Sequence, residues 1–371
     1  MDLTLLLPLF CYAIASLVTI WSLKLRKSYR IIALGPICLF SFLSLVTAHN
    51  LSWPIGANST FASVVVFYIP YSVKLLALDE HPVNPELSSH NWSFIDCYRI
   101  WNNPRDLPVR LGPLDRSAPC NPRSRAVFAA NQALKGMVLV AFDVLIFRRA
   151  FIYALNRIVP ADFAPAMELP PLKSVLHLSA HQIQVRAIVS VQWIWSAYYL
   201  LEGSHCMLSI VFVVVGFDRP KEWPALYGSP LDATSIRGFW GRFWHRLPIS
   251  TYTHYAQLIS RKLLGLQPSS RKEKTLIPLL IFAMSGLSHC LVGWALGDAA
   301  LSRDILFFIL NFFAAAAETT ISKMRQSTPK NRMRSSRQRL AGLAWVFAFF
   351  FCATPVWIYP KVYHALMEAV Q

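Results

Sequence analysis

Apolar stretches of about 20 residues recur along the whole chain, and they constrain its fold more than any other feature. A helix of about 20 apolar residues crosses a hydrocarbon layer of roughly 30 Å. Such stretches cover residues 3–22, 31–49, 59–78, 126–147, 275–297, 304–321 and 340–359, with a longer one at about 182–216. The longer one is interrupted near Glu202 and Gly203, which is compatible with one tilted helix or two shorter ones. The pattern predicts an all-α, polytopic transmembrane helical bundle of about seven to nine spans, with residues 1–371 in a single membrane domain.

The composition supports this interpretation. Apolar residues make up 55% of the chain and charged residues only 15%, whereas ordinary soluble proteins have roughly 25% charged residues. A water-soluble globule, a disordered chain and a disulfide scaffold are therefore excluded as fold classes. We expect an integral, multi-pass protein whose surface is covered mainly by the lipid bilayer.

The net charge of +17 is concentrated in short runs beside the apolar stretches. This distribution is the positive-inside pattern of membrane proteins, and it places residues 24–30, 217–274 and 322–339 in the cytosol. Nucleic-acid binding would also need basic residues, but their position at the ends of spans argues against it, so no nucleic-acid partner is expected. The runs contain Lys24, Arg26, Lys27 and Arg30, then Arg261, Lys262, Arg271, Lys272 and Lys274, then Lys323, Arg325, Lys330, Arg332, Arg334, Arg337 and Arg339.

Two long polar segments separate the spans. Residues 79–125 mix arginines, acids and seven prolines, which predicts an irregular polar loop or lid. Residues 217–274 begin with turn-forming sequences and then become helical, and they form the predicted cytosolic loop. The apolar stretch 275–297 that follows is a predicted transmembrane helix.

The cytosolic loop contains an aromatic and basic helix, predicted over residues 237–247 with Asp232 and Ser235 as candidate caps. At about 100° per residue, one arc carries the aromatic side chains and the opposite arc carries arginines, two glycines and His245. An interfacial helix explains the aromatic and basic residues without any chemistry. It does not explain the two glycines, which lower helix stability. We expect them to clear space beside His245. A helix that presents His245 to a ligand is therefore the favoured alternative. The aromatic arc holds Phe239, Trp240, Phe243, Trp244 and Leu247.

A second histidine, His289, lies within the predicted span 275–297. At 1.5 Å per residue it is on the order of 20 Å along the helix from Lys274, where an ionisable side chain is costly. Ser285, Gly286 and Gly293, one turn away, are small enough to let another helix approach. A histidine that only forms a hydrogen bond between helices remains the structural alternative.

Three motifs together resemble the wax-synthase-like branch of the membrane-bound O-acyltransferases, and in particular the short fungal members that acetylate terpenoid and meroterpenoid alcohols. They are Trp-Pro-x-Leu-Tyr-Gly at 223–228, Arg-x-Phe-Trp-x-Arg-x-Trp-His at 237–245 and Ser-Gly-Leu-x-His at 285–289. The resemblance implies a membrane-bound O-acyltransferase-like fold. It also implies that His289 is the general base and that His245 occupies the second polar position of the site.

The activity implied by this resemblance is transfer of an acyl group, acetyl rather than long-chain, from acyl-CoA to the hydroxyl of a lipophilic alcohol in secondary metabolism. A neutral imidazole suits removal of the hydroxyl proton, and cytosolic arginines suit the phosphates of coenzyme A. The resemblance further implies that no cofactor is permanently bound, that acyl-CoA, acetyl-CoA in particular, is a cosubstrate, and that the enzyme lies in the endoplasmic reticulum membrane. The residues expected to bind it are Arg237, Trp240, Arg242, Trp244 and Arg246.

Other functions remain open at this point. A wax-ester synthase would use long-chain alcohols, a transporter would use His289 as a proton relay, and a membrane terpene cyclase would need carboxylic acids near the spans. His177 and His181 have the spacing of a shared helix face, but no third ligand accompanies them, so no metal site is expected.

Overall fold

The protein is described by a computed structural model that covers residues 3–51, 56–79, 93–107, 121–155, 158–168, 178–324 and 336–370. Twelve helices contain most of these residues, and no β-strand occurs among them. In chain order they are α1 (Leu7–Ser22), α2 (Lys27–Val46), α3 (Ala57–Val73), α4 (Phe94–Trp101), α5 (Pro122–Phe142), α6 (Arg148–Leu155), α7 (Ala180–Val215), α8 (Ile236–Gly238), α9 (Ile249–Gln257), α10 (Arg271–Ala295), α11 (Ser302–Met324) and α12 (Ser336–Val370).

Four of these helices continue through wide turns. Helix α3 extends through Lys74–Leu78 and α8 through Phe239–Phe243. Helix α9 extends through Leu258–Leu263, and Asp143–Phe147 joins α5 to α6.

Six described helices are long and apolar enough to cross a membrane: Lys27–Val46, Ala57–Leu78, Ala180–Val215, Arg271–Ala295, Ser302–Met324 and Ser336–Glu368. A seventh apolar helix, Leu7–Ser22, is shorter than these six. The predicted all-α, multi-pass membrane fold is confirmed. The predicted span 126–147 lies in α5 and its extension, which is not among the six helices. Polar residues interrupt its apolar stretch at Asn131, Gln132 and Lys135.

The apolar region 182–216 forms one helix of 36 residues, α7. Ser179 caps its start through a capping box with Gln182, and Gly216 ends it in the left-handed conformation with φ of 89°. Glu202 does not break the helix because it pairs with Lys135 of α5 while only 1% exposed. A charge buried between two helices needs such a partner.

The long polar segment 79–125 contains α4 and the first turn of α5, while residues 80–92 and 108–120 lie outside the described part. A capping box between Ser93 and Asp96 starts α4. Its side chains join a cluster with α1, α2 and α3, in which Tyr98, Tyr71 and Leu75 are buried. Most of the predicted basic loop, residues 325–335, and His177 of the His177/His181 pair also lie outside the described residues.

The largest buried cluster surrounds the segment that follows α7. It combines side chains of residues 226–244 with those of α11 and α12, and partly buried residues of α7 and α10 pack against it. The loop between α7 and α10 is therefore part of the helix bundle, and it carries the residues that form the candidate site.

Candidate active site

The aromatic and basic helix is shorter than the sequence predicts. Ser235 caps it by accepting a hydrogen bond from the Gly238 amide at 2.8 Å, which confirms that expectation. The helix ends after Phe243, and Trp244 is already extended with ψ of 149°. The predicted range 237–247 is therefore wrong at its end, and His245 lies outside the helix.

The start of this helix is fixed by a carboxylate from a neighbouring span. Glu318 of α11 accepts hydrogen bonds from the backbone amides of Ile236 at 2.7 Å and Arg237 at 3.1 Å. An anion at a helix N-terminus is stabilised by the free amides and the helix dipole. The segment is thereby tied to the interior side of α11.

The aromatic arc faces protein, whereas an interfacial helix would place it at the level of the lipid headgroups. Phe239 and Phe243 are 2% and 6% exposed. The indole of Trp240 donates a hydrogen bond to Asn311, in the middle of α11, at 2.8 Å. The same apolar arc would suit the lipid headgroups or a protein interior. Its packing against Asn311 places residues 236–244 inside the helix bundle, and they are called the re-entrant segment below.

The glycines of the segment do not clear space for His245, contrary to the expectation. A Cβ on Gly238 would lie 2.8 Å from the carbonyl oxygen of Asp232 and 2.9 Å from Oγ of Ser235, so this glycine serves the helix cap. Gly241 has open space around its Cα.

The turn at 223–228 packs beneath the end of the helix. The Gly228 amide donates to the carbonyl oxygen of Phe243 at 2.8 Å, and a Cβ at this position would overlap the carbonyl of Arg242. Tyr227 contacts the His245 ring edge-on, with 5.6 Å between ring centroids. The Tyr-Gly pair of the motif therefore has a local role, in which glycine permits the backbone contact and tyrosine forms one wall beside His245.

His245 is half-buried and has an unsatisfied ring nitrogen. Its Nδ1 atom is buried and has no hydrogen-bond partner among the described residues. Burial, with a smaller contribution from the charge of His289, lowers the pKa of His245 from 6.5 to about 3. The imidazole is therefore neutral near pH 7, with one nitrogen able to donate and the other able to accept.

His289 lies in α10 between two aromatic side chains. Phe308 of α11 stacks on it with 5.0 Å between centroids, and Trp357 of α12 meets it edge-on at 5.9 Å. One turn earlier, a Cβ on Gly286 would lie 2.9 Å from Cα of Ile305. The prediction that small residues beside His289 let another helix approach is confirmed at Gly286.

Aromatic rings connect the two histidines. From His245 the series runs to Trp244 at 5.4 Å, to Trp193 of α7 at 5.1 Å, to Trp357 at 5.6 Å and to His289 at 5.9 Å between centroids. The structure thus brings His245 and His289 to one aromatic enclosure, here called the histidine enclosure.

A cavity of about 660 Å³, which neither His245 nor His289 lines, adjoins the segment that carries His245, and its volume is within the range of roughly 300–1,000 Å³ typical of small-molecule sites. Arg246, the residue after His245, contributes to its wall. The other lining residues come from the end of α3, the segment 105–107 and α9, and they include Lys74, Asp79, Arg105, Asp106, Ser250 and His254.

The charges of this cavity are only partly balanced. Lys74 pairs with Asp106 at 2.6 Å. Arg105 donates to the carbonyl oxygen of Ala225 at 3.1 Å, and no carboxylate pairs with Arg105 or Arg246 within the described ranges. Burial, followed by the charge of Arg246, lowers the pKa of Arg105. Two guanidinium groups without a carboxylate partner therefore line one cavity, where their N–H groups could donate hydrogen bonds to an anion.

The predicted donor-binding residues separate into three groups. Arg246 lines the charged cavity. Trp240 and Trp244 belong to the aromatic cluster around the histidines. Arg242 donates to the carbonyl oxygen of Asp232 at 3.0 Å and Arg237 is exposed, and neither lines this cavity. Contact between these five residues and a donor stays a prediction.

Sequence reasoning missed Lys74 and Arg105 as cavity residues. Lys74 had a usable signal, because it is a charged residue within the apolar stretch 59–78 and such residues are commonly functional. Arg105 had none, since it lies in a polar segment rich in arginine.

A second cavity, of about 210 Å³, lies between α7, α12 and the re-entrant segment. Its wall is almost entirely apolar and includes Val191, Ile194, Phe239, Val346 and Phe350. Phe239 and Phe350 also contact Trp193, at 6.0 and 5.3 Å between centroids. The apolar cavity and the histidine enclosure therefore share walls.

Comparison with known proteins finds a family match over the part of the chain that carries the site. Residues 223–310 match the membrane bound O-acyl transferase family. This range includes the turn at 223–228, the re-entrant segment and both histidines. The predicted resemblance to the membrane-bound O-acyltransferases is confirmed.

Fungal acetyltransferases are similar over about half of the chain. Acetyltransferase atnC of Arthrinium sp is 27% identical over 203 residues, which cover 54% of this chain and 46% of that protein. Acetyltransferase TRI7 of Fusarium sporotrichioides is 29% identical over 194 residues, covering 50% and 44%. Acetyltransferase nanB of Aspergillus nanangensis is 28% identical over 188 residues, covering 49% and 45%. The chain spans about half the length of these relatives.

Proposed function

We propose that this chain transfers an acetyl group from acetyl-CoA to the hydroxyl of a lipophilic alcohol, of the terpenoid or meroterpenoid class, in the endoplasmic reticulum membrane. The observation that supports this most strongly is the histidine enclosure. A continuous series of ring contacts links two imidazoles from distant parts of the chain, with a charged cavity at Arg246 and an apolar cavity at Phe239.

In this proposal His289 is the general base. The alcohol oxygen bonds to the thioester carbonyl carbon while its proton passes to the His289 imidazole. The carbon–sulfur bond then breaks, and the proton returns to the sulfur of coenzyme A. No covalent enzyme intermediate is required, because both substrates meet at the same base.

His245 would stabilise the negative charge that develops on the carbonyl oxygen. A neutral imidazole can donate one N–H. Removal of one preorganised donor from such a site typically lowers kcat by about 10²–10³-fold. The low pKa of His245, about 3, supports a neutral donor. Rings on several sides of the enclosure would exclude water, which favours ester formation over hydrolysis.

The two cavities would receive the two substrates. Arg246 and Arg105 provide cations for the phosphates of coenzyme A, and arginine is well suited to bidentate phosphate contacts. Lys74 already pairs with Asp106 and holds that side of the cavity. The apolar cavity would receive the hydrocarbon skeleton of the alcohol. Because it lies between two helices that are long enough to span the bilayer, a lipophilic acceptor could reach it from the membrane.

The experiment is mass spectrometry of products from microsomes that contain the chain, acetyl-CoA and a panel of terpenoid alcohols. We expect the mass of one acetyl unit to be added to an alcohol, and we expect His289→Ala to remove this product. Long-chain esters from long-chain acyl-CoA would instead identify a wax-ester synthase. Activity of His289→Ala near that of the wild type would reject the proposed base.

A further inference from the structure

Beside His289, three side chains form a connected polar group. Asp304, near the start of α11, accepts a hydrogen bond from the indole N–H of Trp357 at 2.6 Å. Its two carboxylate oxygens both accept hydrogen bonds from Lys361 at 2.9 Å. Lys361 also pairs with Asp298 at 2.6 Å.

This group is buried and held by several contacts. Asp304 is 1% exposed and Trp357 is 9% exposed. Trp357 additionally stacks on Phe307, with 4.4 Å between centroids and 20° between ring planes. Charge-assisted hydrogen bonds to a buried carboxylate are stronger than neutral ones, so the orientation of the indole is fixed from both its polar edge and its face.

The fixed indole is one of the two walls of His289. Trp357 meets the imidazole edge-on with 86° between the planes, and Phe308 stacks on it with 25°. Asp304 and Phe308 are four residues apart, and so they lie on the same face of α11. One helix therefore supplies the stacking wall directly and orients the other wall through Asp304.

We propose that Asp304, Trp357 and Lys361 form a clamp that positions the His289 ring for proton transfer. The inference rests on the proposed function, in which His289 is the base. Trp357 limits rotation of the imidazole, Asp304 holds Trp357, and Lys361 neutralises the carboxylate charge and fixes its two oxygens. Asp304 and Lys361 are also the charged groups that act electrostatically on His289. The three are positioning residues, since they act on the reaction through His289.

The chain contains a matched control for this clamp. Trp195 of α7 donates its indole N–H to Asp143 at 2.9 Å, and Arg148 donates to the same carboxylate at 2.8 Å. This second group has the same composition as the clamp: an indole N–H and a cation both donate hydrogen bonds to one aspartate. The rings that Trp195 contacts are Phe142, Phe147, Tyr198 and Tyr199, and neither His245 nor His289 is among them.

The test compares Trp357→Phe with Trp195→Phe in the full chain, in membranes. Each substitution keeps an aromatic ring and removes one N–H donor to a buried aspartate. Because small errors in position can cost up to about 100-fold in rate, we expect Trp357→Phe to lower kcat about 10-fold with the KM for acetyl-CoA unchanged. We expect Trp195→Phe to leave both values as in the wild type. Equal kcat losses in the two variants, or no loss in Trp357→Phe, would overturn the clamp.

Three further variants test whether the clamp depends on charge as well as on side-chain shape. Asp304→Asn can accept a hydrogen bond from Trp357 or from Lys361 through its single oxygen, but its amide then faces the other donor. We expect kcat to fall here as in Trp357→Phe, and Lys361→Arg to retain more activity than Lys361→Met. A Lys361→Arg variant no more active than Lys361→Met would contradict a charge-dependent clamp.

A labelling measurement tests the clamp without catalysis. Diethyl pyrocarbonate modifies neutral imidazoles, and mass spectrometry quantifies modification of His289. We expect faster labelling of His289 in Trp357→Phe than in Trp195→Phe, and equal rates would contradict the clamp even if the wild type formed no ester. Absence of ester in the wild type together with this difference would reject the proposed function alone. Activity that depends on His289 but not on Trp357, with equal labelling, would reject the clamp alone.

Discussion

The two cavities beside the histidine enclosure differ in size and in chemistry. The larger one, about 660 Å³, is lined by paired and unpaired charges, whereas the smaller one, about 210 Å³, is lined almost entirely by apolar side chains. The charged cavity is lined by Arg246, the residue that follows His245 in the chain. The apolar cavity is lined by Phe239, which belongs to the aromatic cluster around the histidines. The difference indicates that a charged substrate and an apolar substrate would reach the same pair of histidines from different environments.

The largest effect expected from this comparison is on the charged cavity. Arg246→Met removes a guanidinium that has no carboxylate partner in the described part of the chain. Loss of one charge-assisted contact to phosphate costs about 1.5–3 kcal/mol, so the KM for acetyl-CoA should rise by about 10- to 100-fold. Steady-state kinetics with saturating alcohol measures this value.

Lys272→Met is the matched control for that substitution. Lys272 is an exposed cation at the start of α10, and it does not line the charged cavity. Its removal should leave the KM for acetyl-CoA unchanged. An equal rise in both variants would mean that general surface charge, rather than this cavity, attracts the donor.

A smaller effect is expected from the apolar cavity. Val191→Trp fills space beside Ile194, and it should raise the KM for the alcohol several-fold while the KM for acetyl-CoA stays constant. Val211→Trp is the control, because Val211 is an exposed valine of the same helix outside the cavity. A Val191→Trp variant that raises the KM for acetyl-CoA instead would reverse the assignment of the two cavities.

The smallest expected effect concerns stability against pH. The pKa of His245 falls from 6.5 to about 3 on folding. Above pH 6.5 neither state is protonated, so the residue contributes no pH dependence. Between pH 6.5 and about 3 the unfolded chain binds a proton that the folded chain does not, so the free energy of unfolding decreases as the pH falls.

Thermal unfolding in detergent at pH 7.5 and pH 5 measures this effect. Acidification should lower the melting temperature of the wild type more than that of His245→Gln, which has no titrating ring at this position. An equal decrease in both proteins would show that His245 is not held neutral by burial.

The sequence was sufficient for the class of fold, and it singled out the two histidines that we propose as the site. Spans such as α10 and α11 follow from hydropathy alone, and His289 stands out as an ionisable residue within one of them. The depth of the re-entrant segment could not be predicted, because an arc of Phe239 and Trp240 suits lipid headgroups and a protein interior equally. Its depth depends on Asn311 and Glu318 in α11, and no local pattern pairs these with the segment.

The charged cavity and the clamp could not be predicted from local sequence patterns for the same reason. Lys74, Arg105 and Arg246 come from three distant parts of the chain, and only tertiary packing brings them together. Asp304 and Lys361 lie at opposite ends of different spans in the sequence, so their pairing required the arrangement of α11 and α12. Lys74 alone carried a signal, as a cation within an apolar stretch.

The central claim is that His245 and His289 act in one step within one enclosure. The most direct measurement is a double-mutant cycle of kcat/KM with His245→Ala, His289→Ala and the double variant. Residues that act as a unit are strongly non-additive, so we expect the double variant to lose hardly more activity than His289→Ala alone. Losses that multiply, with the two histidines contributing independently, would contradict the account.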